Sequence, residues 1–441
     1  MAFVYSLISI SLVFLFVFFY LKSSKISLFI FLISLYTNIT LPPLFGLDIQ
    51  VFKLQILFGL LIISIRLAQI DSYAKKLRLL SDYKLSRSIG VYFLFFSLSM
   101  LLFSRQYSFV GSLAMTIDYS LSYFVILPIL IKQDNSKSFI DIILISTSFY
   151  VFIGILGYLL NDPLFGNFYY DETIINLRSS NFSYFEKIYR IDSYLKDNTF
   201  TMGINRIKFL SSDPNSLGTI LSINIFLIVY KIYNSNKKVF WSIMFLVYLI
   251  CLILTASRTL IIITIFGLLM MSIKKKFLLL LISILVYSTL QIIDIQSIIT
   301  LSRFADISST TDLIEANGRN VRWSYHLTNL SINNLLIGDG STGFDGSFSQ
   351  MSHNNYVGLI YQIGGLGFLA YCYSLFRTFS LIRININQIE KKYFYIIIIS
   401  LLITGLTQET SSARGPATLL YCLFAYLSTN KNKIRKVEFI K

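Results

Sequence analysis

The sequence predicts an all-α polytopic integral membrane protein with about 12–13 transmembrane helices. Of its 441 residues, 55% are hydrophobic and only 14% are charged, whereas soluble globular domains have about 25% charged residues. Apolar runs also recur at close to the roughly 20 residues that a helix needs to cross a bilayer. These runs lie near 3–21, 26–45, 51–69, 89–104, 114–131, 139–160, 215–233, 239–256, 259–273, 277–296, 355–376, 393–408 and 416–429.

The first run, "MAFVYSLISISLVFLFVFFYLKSSK", is apolar and N-terminal, as a signal peptide is. It lacks a basic leading region and a small-residue cleavage site, and its apolar stretch is longer than the usual ~7–15 residues. We therefore expect the first spanning helix over 3–21.

Lysine and arginine are concentrated in the short connectors between the runs, which predicts the orientation of the chain. Basic connectors of membrane proteins stay in the cytoplasm, and all of these fall on one side when the thirteen runs alternate. This puts the C-terminus inside and, if every run spans, the N-terminus outside. The membrane surface accounts for the net charge of +16 better than a nucleic acid does, because no nucleic-acid-binding motif accompanies it. The connectors are 22–25, 71–88, 132–137, 234–238, 274–276, 377–392 and the tail after 429.

This layout divides the chain into five regions. Two of them are large extracytoplasmic loops, which are polar, mixed in charge and rich in Tyr, Ser and Asn. We expect them to fold as caps and to hold the chemistry. The regions are the N-terminal transmembrane helices (1–160), the first loop (161–214), the central transmembrane helices (215–296), the second loop (297–354), and the C-terminal transmembrane helices with a basic tail (355–441).

The first loop ends in "GINRIKFLSSDPNSLGTIL". The stretch Asp213-Pro214-Asn215-Ser216 predicts a turn and a capped helix start. Arg206 precedes it, and a guanidinium beside a positive helix N-terminus suits a phosphate ligand. The alternative is an arginine that only anchors the chain at the interface.

Arg258 in "LTASRTLIII" stands between two apolar runs. An arginine inside hydrocarbon costs at least ~2.5 kcal/mol. Either two spans meet here in a tight outer turn, which the basic connectors favour, or Arg258 faces a polar cavity. A structural ion pair and a ligand contact both stay open for this side chain.

The second loop contains "EANGRNVRWSYHLTNLSINNLLIGDGSTGF". Arg319, Trp323 and His326 recur at helical spacing and can share one face, and Arg322 lies beside them. The glycine-rich "GDGSTGF" is weak support for phosphate binding, because no strand precedes it. We interpret it as a tight loop.

His353 heads the stretch "MSHNNYVGLIYQIGGLGFLAYC" and is one of only two histidines. An imidazole can accept a proton near neutral pH, but a histidine at an interface is often only an anchor. Cys251, Cys372 and Cys422 lie in apolar runs and are expected to be buried hydrophobes. The spacing of histidine and cysteine offers no metal site, and no ATP-binding motif occurs.

Four motifs together resemble the O-antigen ligase and polymerase superfamily. They are "NRIKFLSSDPNSLG", "SRT", "GRNVRW…LLIGDGSTGF" and the H-N-x9-G-x-x-G pattern of His353, Asn354, Gly364 and Gly367. The resemblance covers about 200–375 and keeps the order of the four.

The resemblance implies a GT-C-like glycosyltransferase of the bacterial plasma membrane whose active site faces outward. It would act on undecaprenyl-diphosphate-linked glycan as donor and acceptor, with no metal or other cofactor. Arg206 and Arg319 correspond to the arginines that bind the diphosphate, and His353 to the base. Arg322, Arg258, Asn354 and Trp323 are further substrate-binding candidates. The lipid bilayer, a chain-length regulator and a flippase are the expected partners.

Two enzymes share this chemistry, and the composition of the chain favours a polysaccharide polymerase over an O-antigen ligase. Twelve spans with a cytoplasmic N-terminus are common in the superfamily, so the thirteenth run leaves the N-terminal topology open. A polysaccharide transporter is the non-enzyme alternative, although transporters often show internal repeats and we find none here.

Overall fold

Helices form every regular element of the described chain, and no strand occurs within it. The computed structural model describes residues 2–37, 51–69, 91–92, 94–95, 97–99, 122–133, 139–160, 207, 209, 214–255, 257–272, 332–338, 354–386, 388–406 and 414–429. Helical residues at 91–92, 94–95 and 97–99 and a π-helical turn, Ser122–Ile126, accompany twelve α-helices in the described part of the chain. These are α1 Ala2–Lys22, α2 Ser24–Thr37, α3 Val51–Ala68, α4 Leu127–Gln133, α5 Phe139–Leu160, α6 Pro214–Asn234, α7 Lys238–Leu254, α8 Arg258–Ser272, α9 Ile332–Ile337, α10 Asn355–Asn385, α11 Gln388–Gly405 and α12 Arg414–Thr429.

The predicted apolar runs coincide with helices. Twelve of the thirteen contain described helical residues, and the run at 277–296 lies outside the described residues. Three helices are long and apolar enough to cross a membrane: Phe139–Leu156, Pro214–Asn234 and Asn355–Ile384. The chain is therefore an all-helical protein with three candidate membrane spans among its described residues.

The first three helices pack side by side. The ring of Phe16 in α1 lies 5.8 Å from that of Phe31 in α2, and both are fully buried. The buried amide of Gln55 in α3 donates to the Leu12 carbonyl at 3.2 Å and to the Ser34 hydroxyl at 3.0 Å. Hydrogen bonds between such side chains hold apolar helices together where lipid provides no hydrophobic driving force. The predicted first helix is thus a packed member of the bundle.

Helix α6 lies at the centre of the bundle and packs against α5, α7, α8, α11 and α12. Its residues from Pro214 to Val229 are buried apart from Asn215. Gly218 and Gly267 are the points of closest approach, where a side chain would meet Leu260 of α8 and Phe226 of α6, respectively. Small residues let helices approach in this way.

At one end of the bundle, polar contacts join the ends of several helices. Lys231 at the end of α6 pairs with Asp141 of α5 at 2.5 Å. The Tyr230 hydroxyl donates to the Glu390 carboxylate of α11 at 2.6 Å. The Lys392 ammonium donates to the Met271 carbonyl of α8 at 3.0 Å. We call this the basic end, because these helix ends adjoin the connectors 132–137, 234–238, 274–276 and 377–392.

Helix α10 is broken at Gly364, where φ is 68° and ψ is −179°. In a straight helix residues 16 apart are separated by about 24 Å, yet the Asn355 amide lies 3.4 Å from the Tyr371 hydroxyl. The rings of Tyr356 and Phe368 are 6.4 Å apart. Residues 355–363 therefore fold back along the following residues as a helical hairpin. The predicted continuous span over 355–376 is wrong, because the chain reverses at Gly364. Within the candidate span Asn355–Ile384, which is defined by length and composition, the uninterrupted helix that is long enough to cross a bilayer is formed by the 21 residues of 365–385.

Two backbones meet at this break, and a side chain from a third segment bonds there. A side chain at Gly364 would overlap the backbone of Leu336 in α9, and one at Gly338 (φ 88°) would overlap the backbone of Gln362. The Ser99 hydroxyl donates to the Gln362 carbonyl. A helix break leaves carbonyls without their helical hydrogen bonds, and these carbonyls need other donors. The Ser99 hydroxyl is such a donor for the Gln362 carbonyl.

Candidate functional site

Most of the predicted site residues lie outside the described residues. This holds for Arg206, Arg319, Arg322, Trp323 and His353, and for the side chain of Arg258. The backbone of Arg258 is the first residue of α8, and Asn354 is described in full. The described part of the site consists of the motif residues Asn215, Ser257 and Asn354 and of the residues beside them.

Two of the four motifs are joined by a hydrogen bond. The Ser257 hydroxyl, from "SRT", donates to the side-chain oxygen of Asn215, from "DPNS", at 2.9 Å. The backbone N–H of Ser257 in turn approaches the Thr255 hydroxyl at 3.4 Å. The turn between α7 and α8 is therefore fixed to the first turn of α6. It also confirms that two helices meet in a tight turn before Arg258.

The chain that follows Arg206 is fixed to the same turn. The Ile207 N–H donates to the Leu254 carbonyl at 3.1 Å. Phe209 has φ 49°, which is unusual for a residue other than glycine, and its buried ring fills the space left by the missing side chain of Gly154 in α5. Ile207, Asn215 and Ser257 therefore lie around one turn. They are the described residues at, or next to, the motif positions 206, 215 and 258.

Asn354, which follows His353, begins α10. Its side-chain oxygen accepts hydrogen bonds from the N–H groups of Tyr356 at 2.9 Å and Val357 at 3.2 Å. This is an N-cap, the role for which asparagine is among the preferred residues. Only 7% of Asn354 is exposed, so the hairpin begins inside the bundle.

The end of α11 lies at the same end of the bundle as the turn before α8 and the start of α10. Going along the antiparallel α8 and α11, Lys392 faces Met271, and Ile396 faces Gly267 four residues on. Because α8 and α11 are antiparallel, the end of α11 lies at the same end of the bundle as the start of α8. A side chain at Gly405, the last residue of α11, would lie 3.3 Å from Asn355. The starts of α8 and α10 therefore lie at the same end of the bundle.

We call this end of the bundle, opposite to the basic end, the motif end; it is formed by the starts of α6, α8 and α10. The N-terminus of a helix carries a partial positive charge, although at the start of α10 the Asn354 side chain already accepts hydrogen bonds from two N–H groups. Three such starts at one end favour anionic ligands, and Arg258 is the first residue of α8.

Sequence reasoning missed two features of this end. The first is the anchoring of Phe209 against Gly154, which no local pattern announces. The second is the contact between Gly338 and the hairpin. The sequence predicts "GDG" as a tight loop, but it does not show that the first glycine, Gly338, lies against the backbone of Gln362 beside the break in α10.

Comparison of the chain with protein-family models and with curated proteins finds no match.

Proposed function

We propose that the chain is a membrane glycosyltransferase that polymerises undecaprenyl-diphosphate-linked repeat units into a surface polysaccharide. The observation that supports this most is the gathering of the motifs: Asn215 and Ser257 are bonded, Ile207 is tied to the same turn, and Asn355 lies beside Gly405 at the same end of the bundle. Motifs distant in sequence are expected to meet if they serve one reaction.

The proposed chemistry follows from the charges involved. The acceptor hydroxyl oxygen attacks the anomeric carbon of the donor, the bond from that carbon to the diphosphate breaks, and the diphosphate leaves with the bonding electrons. Arg206 and Arg319 would stabilise the negative charge that develops there. His353 would take the proton of the hydroxyl, and direct displacement would invert the anomeric configuration.

The other predicted residues would hold the substrate. Arg322 and Arg258 offer further charge to the diphosphate, and Trp323 offers an aromatic face to a sugar ring. Asn354 follows the proposed base, His353, in the sequence and caps α10. In this proposal the chain has about 12–13 spans in a GT-C-like arrangement, the motif end faces outward under the two large loops, and the basic end faces the cytoplasm.

The first test is loss of polymer in two variants. His353→Ala and Arg319→Ala should each abolish long-chain polymer on a gel, while immunoblots of membranes show unchanged protein. The matched control is Arg383→Ala, which changes an exposed arginine in the last turn of α10. Normal polymer ladders from both test variants would refute the proposed site.

A deletion strain separates the polymerase from the ligase. Single repeat units on the acceptor lipid indicate that a polymerase was lost. Unattached polymer on undecaprenyl diphosphate indicates a lost ligase, and repeat units retained on the cytoplasmic face indicate a lost transporter.

A further inference from the structure

The start of α10 is held by a hydrogen bond to the end of α11. The Tyr356 hydroxyl donates to the Leu402 carbonyl at 2.6 Å. The last four carbonyls of a helix have no partner within it, and the Leu406 N–H bonds to Ile403 at 3.0 Å. Tyr356 therefore satisfies a carbonyl that α11 leaves available, and this fixes the two helix ends to each other.

Gly405 makes this contact possible. A Cβ at this position would stand 3.3 Å from the Asn355 side chain and 3.3 Å from the Tyr356 hydroxyl. Both distances are tighter than ordinary van der Waals contact. A larger residue would push the start of α10 away from α11.

A second support comes from the hairpin itself. The Asn355 amide donates to the buried hydroxyl of Tyr371 at 3.4 Å. The Tyr371 ring lies 5.3 Å from that of Tyr92, whose hydroxyl lies 3.2 Å from that of Tyr421 in α12. Two separate parts of the bundle thus hold the first two residues of α10.

We propose that Tyr356 and Tyr371 are positioning residues: their hydroxyls fix the start of α10, which directly follows His353 in the sequence, beside the end of α11. This inference rests on the proposed function, because it matters for catalysis only if His353 is the base. The two tyrosines act by positioning His353 and need not touch the substrate.

The kinetic test removes only the hydroxyls. Tyr356→Phe and Tyr371→Phe are compared with Tyr373→Phe, which changes an exposed tyrosine of the same helix. Membrane vesicles receive undecaprenyl-diphosphate-linked repeat units, and elongation per molecule of protein is measured against substrate concentration. We expect kcat to fall by about tenfold or more in the test variants with KM unchanged, since small misplacements of reacting groups cost up to about 100-fold.

A second measurement does not depend on activity. His353→Cys, combined with Cys372→Ser, places a thiol at residue 353, and its rate of modification by a membrane-impermeant maleimide is recorded. Adding Tyr356→Phe should change this rate by about threefold or more, as local opening alters access, and adding Tyr373→Phe should not. If Tyr356→Phe does not accumulate, Gly405→Ala crowds the same contact and replaces it.

The two measurements distinguish the possible failures. An unchanged thiol rate together with an unchanged kcat in both test variants would overturn the positioning role. A changed thiol rate in a protein whose unaltered form elongates no glycan would support the positioning role and overturn the proposed function.

Discussion

Gly338 and Gly364 act as a pair at the scale of single residues. Each has a positive φ, and a side chain on either would overlap the backbone beside the other. Only glycine adopts such conformations readily and leaves this space. The sequence shows that glycines stand at these positions, but neither the sign of φ nor the partner backbone can be read from it.

Gly364→Ala should lower the stability of the protein. The alanine would have to adopt a positive φ with an extended ψ, a conformation essentially restricted to glycine, and would overlap the Leu336 backbone, for a combined cost of at least about 2 kcal/mol. Thermal unfolding in detergent measures the effect as a lower midpoint. Leu366→Ala, at an exposed position two residues on, is the control, and equal midpoints for the two variants would contradict the prediction.

At the scale of elements, the helices were predictable and the hairpin was not. Length and hydropathy place each run, because a spanning helix needs about 20 apolar residues. The run at 355–376 is apolar on both sides of Gly364, so neither its length nor its composition marks the break. What folds it back is tertiary: α9 lies against Gly364, and Ser99 bonds to the freed carbonyl of Gln362.

Ser99→Ala tests the support of the hairpin. Loss of the hydroxyl leaves the Gln362 carbonyl without this donor, and an unsatisfied buried group costs about 1–3 kcal/mol. The unfolding midpoint in detergent should fall by a corresponding amount. Ser380→Ala removes a hydroxyl that bonds within its own helix to Phe376, so a fall as large as that of Ser99→Ala would show that the effect is not specific to the break.

At the scale of the whole molecule, the chain has two chemically different ends. The alternation of the apolar runs predicts that the basic connectors share one side of the membrane. The helix ends beside these connectors are joined by contacts at Asp141, Lys231, Met271 and Glu390. The motif end was predicted only as a set of loops. The roles of its arginines and of His353 stay predictions. A motif defines residue types, whereas whether two motifs meet depends on contacts across the bundle, such as that of Asn215 with Ser257.

The orientation of these ends can be measured with single cysteines. In a protein whose three cysteines are replaced by alanine, Asn236→Cys lies in an exposed turn at the basic end. Because basic connectors stay inside, an impermeant maleimide should label it only in inverted vesicles. Ser180→Cys, in the first predicted loop, should react in intact cells. The reverse pattern would invert the proposed topology.

The bond from Tyr356 to Leu402 also sets an order of biogenesis. Its two partners are 46 residues apart, and the later one belongs to the next helix to be synthesised. While the ribosome is still making α11, the start of α10 has no carbonyl to dock on. The hairpin therefore reaches its final place only after α11 has entered the bundle, and a chain released before Leu402 lacks the assembled motif end.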